Sequence, residues 1–173
     1  MPYFARTRPA PQVRGGYRTF RPHVRADFRR RCAYCLFAEL LAAGEENFEL
    51  DHFRPQSVFP SQKNDFYNIY YACHPCNHIK RDVWPSSEME ARGLGFVDLC
   101  TDEFATHFKP RADGTWEGVT ESGRYTIDML RLNRGHLITL RRRLKQLGFD
   151  IHEIGTDDER LKVLLLAPPP SSS

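Results

Sequence analysis

The sequence predicts an α+β fold in which a metal staples two strand-like runs and helices pack around them. Three observations predict it. Two Cys-x-x-Cys pairs, Cys32/Cys35 and Cys73/Cys76, have the spacing with which thiolates reach one tetrahedral metal. Two aromatic or apolar runs, Phe48–Phe53 and Tyr67–Cys73, have the composition of strands. Outside them, a leucine period of three and four near the C-terminus and an Asp-Gly turn between apolar runs predict a helix and a hairpin.

Taken in order, residues 1–31 carry Arg6, Arg8, Arg14, Arg18, Arg21, Arg25, Arg29, Arg30 and Arg31 against the single acid Asp27. Residues 1–24 read as a basic arm whose guanidinium forks suit phosphate clamping, with residues 1–15 reading equally as a solvated tail. Val24–Arg31 predicts a helical turn leading to the first cysteines. Leu36–Ala43 is rich in helix formers and ends at Gly44, placed as a left-handed cap. Arg54–Asp65 reads as the loop joining the two strands, with Arg54, Gln56 and Lys63 as phosphate contacts or ordinary solvated side chains. Lys80 and Arg81 follow Asn77 by about one helical turn and share its side, and Trp84-Pro85 is expected to close that helix.

Ser87–Arg92 predicts a short helix, broken by Gly93 and Gly95 before the strand-like Phe96–Leu99. Asp113-Gly114, between His107–Pro110 and Thr115–Val119, predicts a hairpin, with His107 as polar surface or a stray ligand. A last helix is expected from about Arg134 to Leu147, packing Leu137, Leu140, Leu144 and Leu147 inward. Its other face, Arg134, Arg141, Arg142, Arg143 and Lys145, extends a basic surface or stays solvated. The domain is thus expected over 25–150, with its core motif at about 32–85. Residues 151–173 form an extension with an apolar piece at Leu161–Ala167 and a disordered Pro168–Ser173 end.

At 173 residues, 40% hydrophobic and 27% charged with a net charge of +3, the chain reads as one mildly basic domain whose modest core would gain from a metal staple. No stretch approaches the roughly 18 apolar residues of a membrane span, and Met1–Arg6 lacks a signal-peptide apolar region. A cytoplasmic, reducing location with no membrane partner is expected. There, paired cysteines favour metal over disulfide, and Cys100 reads as a buried small apolar residue.

Four sulfurs in two turns suit structural Zn²⁺, a redox pair or unpaired thiols being the other readings. Cys35 and Cys73 lie farther apart than the roughly 15–20 residues of a compact zinc ribbon, so the intervening segment matters. It contains Asp51, His52 and Asn68. Asp51 offers a hard oxygen ligand and Asn77 a second through its side-chain carbonyl, a set that suits Mg²⁺ or Mn²⁺. His52 suits a general base taking a proton from water attacking a phosphodiester, with Asn68 orienting the ring. Each also has a plainer reading, Asp51-His52 as a capped turn and Asn68 as a turn residue. Asp51 and His52 reach one site only if the strand ends or twists there, which Pro55 favours.

Asp51-His52, Asn68 and Cys73-x-x-Cys76-Asn77-x-x-Lys80, preceded by Cys32 and Cys35, resemble the HNH endonuclease family over roughly residues 25–85. The resemblance implies a ββα-metal finger that cuts DNA. It implies Asp51 and Asn77 as ligands of the catalytic ion, His52 as the base, Asn68 as the residue holding it, and the four cysteines as structural zinc ligands. Asn77 stands where other members carry His, and His74 and His78 are the nearby nitrogen candidates. Lys80, Arg81, Arg54, Arg29, Arg30 and Arg31 are the expected DNA contacts. Low sequence specificity is expected because the recognition surfaces beyond the motif are basic and flexible, and the resemblance of Asp51–Ser57 and the chain's size to small bacterial or phage members implies a defence, mobile-element or phage setting. A non-catalytic zinc-ribbon module, a homodimer and a subunit of a larger nuclease system stay open.

Overall fold

The computed structural model describes residues 1–42, 44–152 and 159. Two antiparallel strands, β1 (Phe48–His52) and β2 (Ile69–Cys73), pair from Phe48↔Cys73 to His52↔Ile69 and run directly into helix α2 (His74–Lys80). Helix α1 (Arg21–Asp27) packs on β2. Beyond the finger come α3 (Ser87–Ala91), α4 (Phe104–His107), the hairpin β3–β4 (Phe108–Pro110, Trp116–Gly118), α5 (Glu121–Met129) and α6 (Gly135–Gln146). This is the α+β architecture expected, with strand, strand and helix in the predicted order. The core is continuous between the finger and the helices behind it, from Phe28, Ile69 and Tyr71 to Leu130, Leu132 and Leu137. Among the described residues, no helix is long and apolar enough to cross a membrane.

Every side chain of β2 is buried, with α1 packed against the strand. That segment is tied to β2 by Ala33 N–H, which donates to Tyr71 O at 2.8 Å. The predicted helix over 36–43 is instead a tight loop followed by a single 3-10 turn, Glu39–Ala42, with Ala43 outside the described residues. Leu36 is turned into the left-handed region at φ 64°, so that Cys32 N–H meets Phe37 O and Leu36 N–H meets Cys32 O. Closing the sulfur loop outweighs helix propensity there. Glu39 is then drawn inside, accepting from Arg25 Nε and Nη2 at 2.7 and 2.6 Å and from Tyr71 Oη.

The basic arm lies against this body. Phe4 is fully buried and its N–H donates to Leu99 O at 2.9 Å. Arg6 donates to Phe66 O, Ile69 O and Asp27 Oδ2 at 2.6, 3.0 and 3.1 Å while stacking on Phe66. Its charge therefore closes the entry to β2 and faces no phosphate.

Three further expectations are corrected. The helix α2 ends at Lys80, four residues before Trp84, because Arg81 adopts φ 44° with its N–H on Asn77 O; Trp84 packs instead on Phe53 and Phe59. Phe96–Leu99 forms no strand, since its backbone bonds go to Phe4 and to Thr126 Oγ1. On α6, Arg134 and Arg141 turn inward with Leu137 and Leu144, while Leu147, expected inside, is exposed just past the end of the helix, as are Arg142, Arg143 and Lys145. Leu161–Ala167 and Pro168–Ser173 lie outside the described residues.

The Asp-Gly hairpin forms as expected. Gly114, at φ 88°, lies where a Cβ would stand 2.4 Å from the backbone oxygen of Ile138 in α6. Gly114→Ala is expected to lower stability by about 1–3 kcal/mol, read as a fall in the thermal midpoint, through strain and loss of that close approach.

Candidate active site and sulfur cluster

The four cysteine sulfurs lie within 4.8 Å of one another and all four residues are buried. Cys35 Sγ and Cys73 Sγ are 3.8 Å apart, the separation of about 3.8 Å that a tetrahedron with metal–sulfur bonds near 2.3 Å requires. As thiols the cluster is frustrated. Cys73 is pushed far up because it must donate to Cys32 and Cys35, while Cys35, despite burial, is drawn down by hydrogen bonds from its neighbours. A divalent cation removes the conflict by making all four sulfurs thiolate ligands. Arg134 Nη2 donates to Cys76 Sγ at 3.2 Å, partly balancing the excess negative charge of such a centre. The donor set fits Zn²⁺.

The knuckle between the first two cysteines reaches the second site directly. Tyr34, between Cys32 and Cys35, donates its hydroxyl to Asp51 Oδ2. Lys80, on α2 one turn past Cys76 and fully buried, places Nζ 3.1 Å from the same oxygen and 2.7 Å from His52 O. Burial raises the Asp51 carboxyl above its ordinary value, and the Lys80 ammonium and Tyr34 hydroxyl oppose that rise. Both clamp Oδ2, and among the described residues Oδ1 has no hydrogen bond.

Asp51, His52 and Asn77 line one open cleft of about 210 Å³, together with Tyr17, Arg81 and Asp82. Strand β1 ends at His52, which lets both neighbours face the cleft. His52 Nε2 lies 2.8 Å from Lys63 O. A carbonyl only accepts, so Nε2 carries the proton and Nδ1 keeps its lone pair. Tyr17 of the arm holds the ring from the other side, edge to face at 4.7 Å. Asn77 Nδ2 donates to Glu49 Oε2, and among the described residues its Oδ1 has no partner. Although partial burial works the other way, hydrogen bonds from Asn77 and His74 hold the Glu49 carboxyl below its ordinary range.

Asn68 does not touch the His52 ring. Its Oδ1 accepts from Arg54 N–H at 2.8 Å, and its Nδ2 donates to Arg54 O and Gln62 O at 3.1 and 3.3 Å. It braces the loop whose next residue, Lys63, holds the ring. Lys80 and Arg31 are likewise not surface contacts. Lys80 is engaged beneath Asp51, and Arg31, 4% exposed, donates to Ile151 O. Of the other basic positions, Arg29, Arg54 and Arg81 are exposed and Arg30 is half-buried. His74 and His78 stand on the outer side of α2, where His74 pairs with Glu49 and His78 accepts from Arg81.

Tyr34 and Glu49 were not singled out from the sequence, and Lys63 was read there only as a phosphate contact or a solvated side chain. Glu49 shares a strand face with Asp51 two residues on, a readable signal. Tyr34 lies between two ligands but its rotamer is set by the fold, and Lys63 acts through its backbone, which no sequence pattern exposes. The family model for HNH endonucleases matches residues 32–82. No curated protein matches the chain.

Two outcomes follow from the geometry. Structural zinc binding contributes roughly 10–16 kcal/mol in small zinc domains, as much as the roughly 5–15 kcal/mol total stability of a typical domain. Cys73→Ser is therefore expected to lose zinc, read by atomic emission, and to unfold by circular dichroism. Lys80→Met leaves Asp51 buried beside a lost counter-charge and is expected to cost about 3 kcal/mol in denaturant titration while zinc stays bound.

Proposed function

We propose that this protein is a metal-dependent endonuclease that hydrolyses DNA phosphodiester bonds. The HNH match at residues 32–82 supports a nuclease-family function and a nucleic-acid substrate. The observation that carries the finer reading is the pair of unpartnered oxygens, Asp51 Oδ1 and Asn77 Oδ1, on the same cleft as a histidine whose Nδ1 is free to accept a proton. These oxygens suit Mg²⁺ or Mn²⁺ and would hold it. When bound, that ion supplies Lewis-acid polarisation of the scissile phosphate and charge stabilisation at the leaving oxygen.

The protein's own groups do the rest. His52 Nδ1 takes the proton from the attacking water, and the Lys63 carbonyl on Nε2–H stabilises the imidazolium that forms. Tyr34 and Lys80 hold Asp51 in one rotamer, and Glu49 holds the Asn77 carboxamide with its oxygen outward. Asn68 acts as a positioning residue through the loop. Arg81 at the rim, with exposed Arg54 and Arg29, supplies phosphate contacts in place of the buried Lys80 and Arg31. Such contacts position a duplex without reading bases, which favours low sequence specificity. A defence, mobile-element or phage role is compatible with that.

A zinc-ribbon binding module would need neither the oriented imidazole nor the free carboxamide oxygen. The test is supercoiled plasmid incubated with purified protein and Mg²⁺ or Mn²⁺. His52→Ala is expected to slow nicking by about 10²–10⁴-fold with an unchanged melting curve. Equal rates for variant and wild type would overturn the assignment, and cleavage appearing only with an added component would point to a subunit of a larger nuclease.

A further inference from the structure

The His52 ring is hydrogen-bonded at one edge only, through Nε2–H to Lys63 O at 2.8 Å. The terminal torsion of a histidine is broad, so a single bond leaves the ring room to swing about that contact. A second constraint comes from outside the matched residues 32–82. Tyr17 meets the ring edge to face, with 4.7 Å between centroids, and lines the same cleft.

The chain is shaped to put Tyr17 there. Gly15 adopts φ 113°, and a Cβ on it would stand 2.9 Å from Thr19 Cγ2. Gly16 O then accepts from Thr19 N–H and Thr19 Oγ1 at 3.0 and 2.8 Å, which folds Tyr17–Phe20 into a 3-10 turn. Both sides of this turn are anchored on the segment joining β1 to β2. Buried Phe20 packs on Phe66 with 5.2 Å between centroids, and upstream Arg6 donates to Phe66 O. Tyr17 N–H donates to Asn64 Oδ1 at 2.9 Å. Asn64 follows Lys63 in the chain, so two consecutive residues of one loop act on the ring, Lys63 directly and Asn64 through Tyr17. The Asn64 bond is exposed and contributes modestly, while the buried contacts of Arg6 and Phe20 carry most of the anchoring.

We propose that Tyr17 is a positioning residue for the base. It holds the His52 ring so that Nδ1 stays aimed into the cleft, and residues 15–20 thereby belong to the machinery of the reaction although they lie upstream of the family match. The inference rests on the reading of His52 as the general base. Displacing a reacting group by about 1 Å costs up to about 10²-fold in rate, which sets the scale of the effect.

The test has two readouts on the zinc-loaded full chain. The first is the pair of His52 ring ¹⁵N shifts, measured without Mg²⁺ or Mn²⁺ at pH about 8, where an ordinary histidine is neutral and the shifts report which nitrogen carries the proton. Wild type is expected to show the Nε2–H tautomer, Tyr17→Ala a mixture of the two, and Tyr17→Phe, which keeps the ring, the wild-type pattern. The second is steady-state nicking of a duplex oligonucleotide with Mg²⁺ or Mn²⁺. In Tyr17→Ala, kcat is expected to fall roughly 10–10²-fold with KM unchanged, and Tyr17→Phe is expected to restore it. Asn64→Ala changes an exposed side chain and is expected to act in the same direction with a loss of about threefold; it carries the comparison if Tyr17→Ala does not fold. A tautomeric mixture already in wild type, or unchanged shifts and kcat in Tyr17→Ala, overturns the proposal. A rise in KM alone also overturns it, by placing Tyr17 on the substrate instead of on the base. The expected shifts without cleavage by any form uphold the hold on the ring and overturn the nuclease reading alone.

Discussion

Four sulfurs packed within 4.8 Å of one another cannot all be charged without a cation between them, and that constraint ties the cysteine loop to the junction of β2 with α2. Cys32 and Cys35 belong to a loop whose φ values run against local propensity, and Cys73 and Cys76 to the junction of β2 with α2. A seven-residue helix and a two-stranded sheet are each too small to persist alone. A metal held by the four sulfurs would join them into one frame.

That frame extends to the cleft through a short set of buried bonds. Tyr34 comes from the cysteine loop and Lys80 from the helix bearing Cys76, and both reach one oxygen of Asp51. The sulfur cluster thus sets the direction in which the other carboxylate oxygen points. Lys80 binds His52 O as well, so one ammonium ties two adjacent site residues to the frame. The site tolerates a buried charge because that charge has two acceptors, which offsets much of its desolvation.

Basic residues here are more often structural than the net charge of +3 suggests. Arg6 closes the start of β2, Arg25 pairs with Glu39 under the cysteine loop, Arg134 donates to Cys76, and Arg31 caps Ile151. Guanidinium serves this purpose because one planar group satisfies several backbone carbonyls while its face stacks on an aromatic ring, as Arg6 does on Phe66. Counting arginines therefore overstates the surface available to a polyanion. Arg141 differs in leaving two buried donors without an acceptor among the described residues.

The cysteine spacing, the order of strand, strand and helix, and the convergence of Asp51, His52 and Asn77 were legible in the sequence, because metal ligation demands particular residues at particular intervals and strand composition is local. The Asp-Gly hairpin and the leucine-striped helix were legible for the same local reason. Tertiary structure alone decided that Leu36–Ala42 is a loop, that Lys80 lies under Asp51, that Lys63 rather than Asn68 holds the His52 ring, and that Arg141 is inside. Each of these turns on which partner a polar group meets once water is excluded. Side-chain type declares what a group can bond to, but only packing determines what it finds.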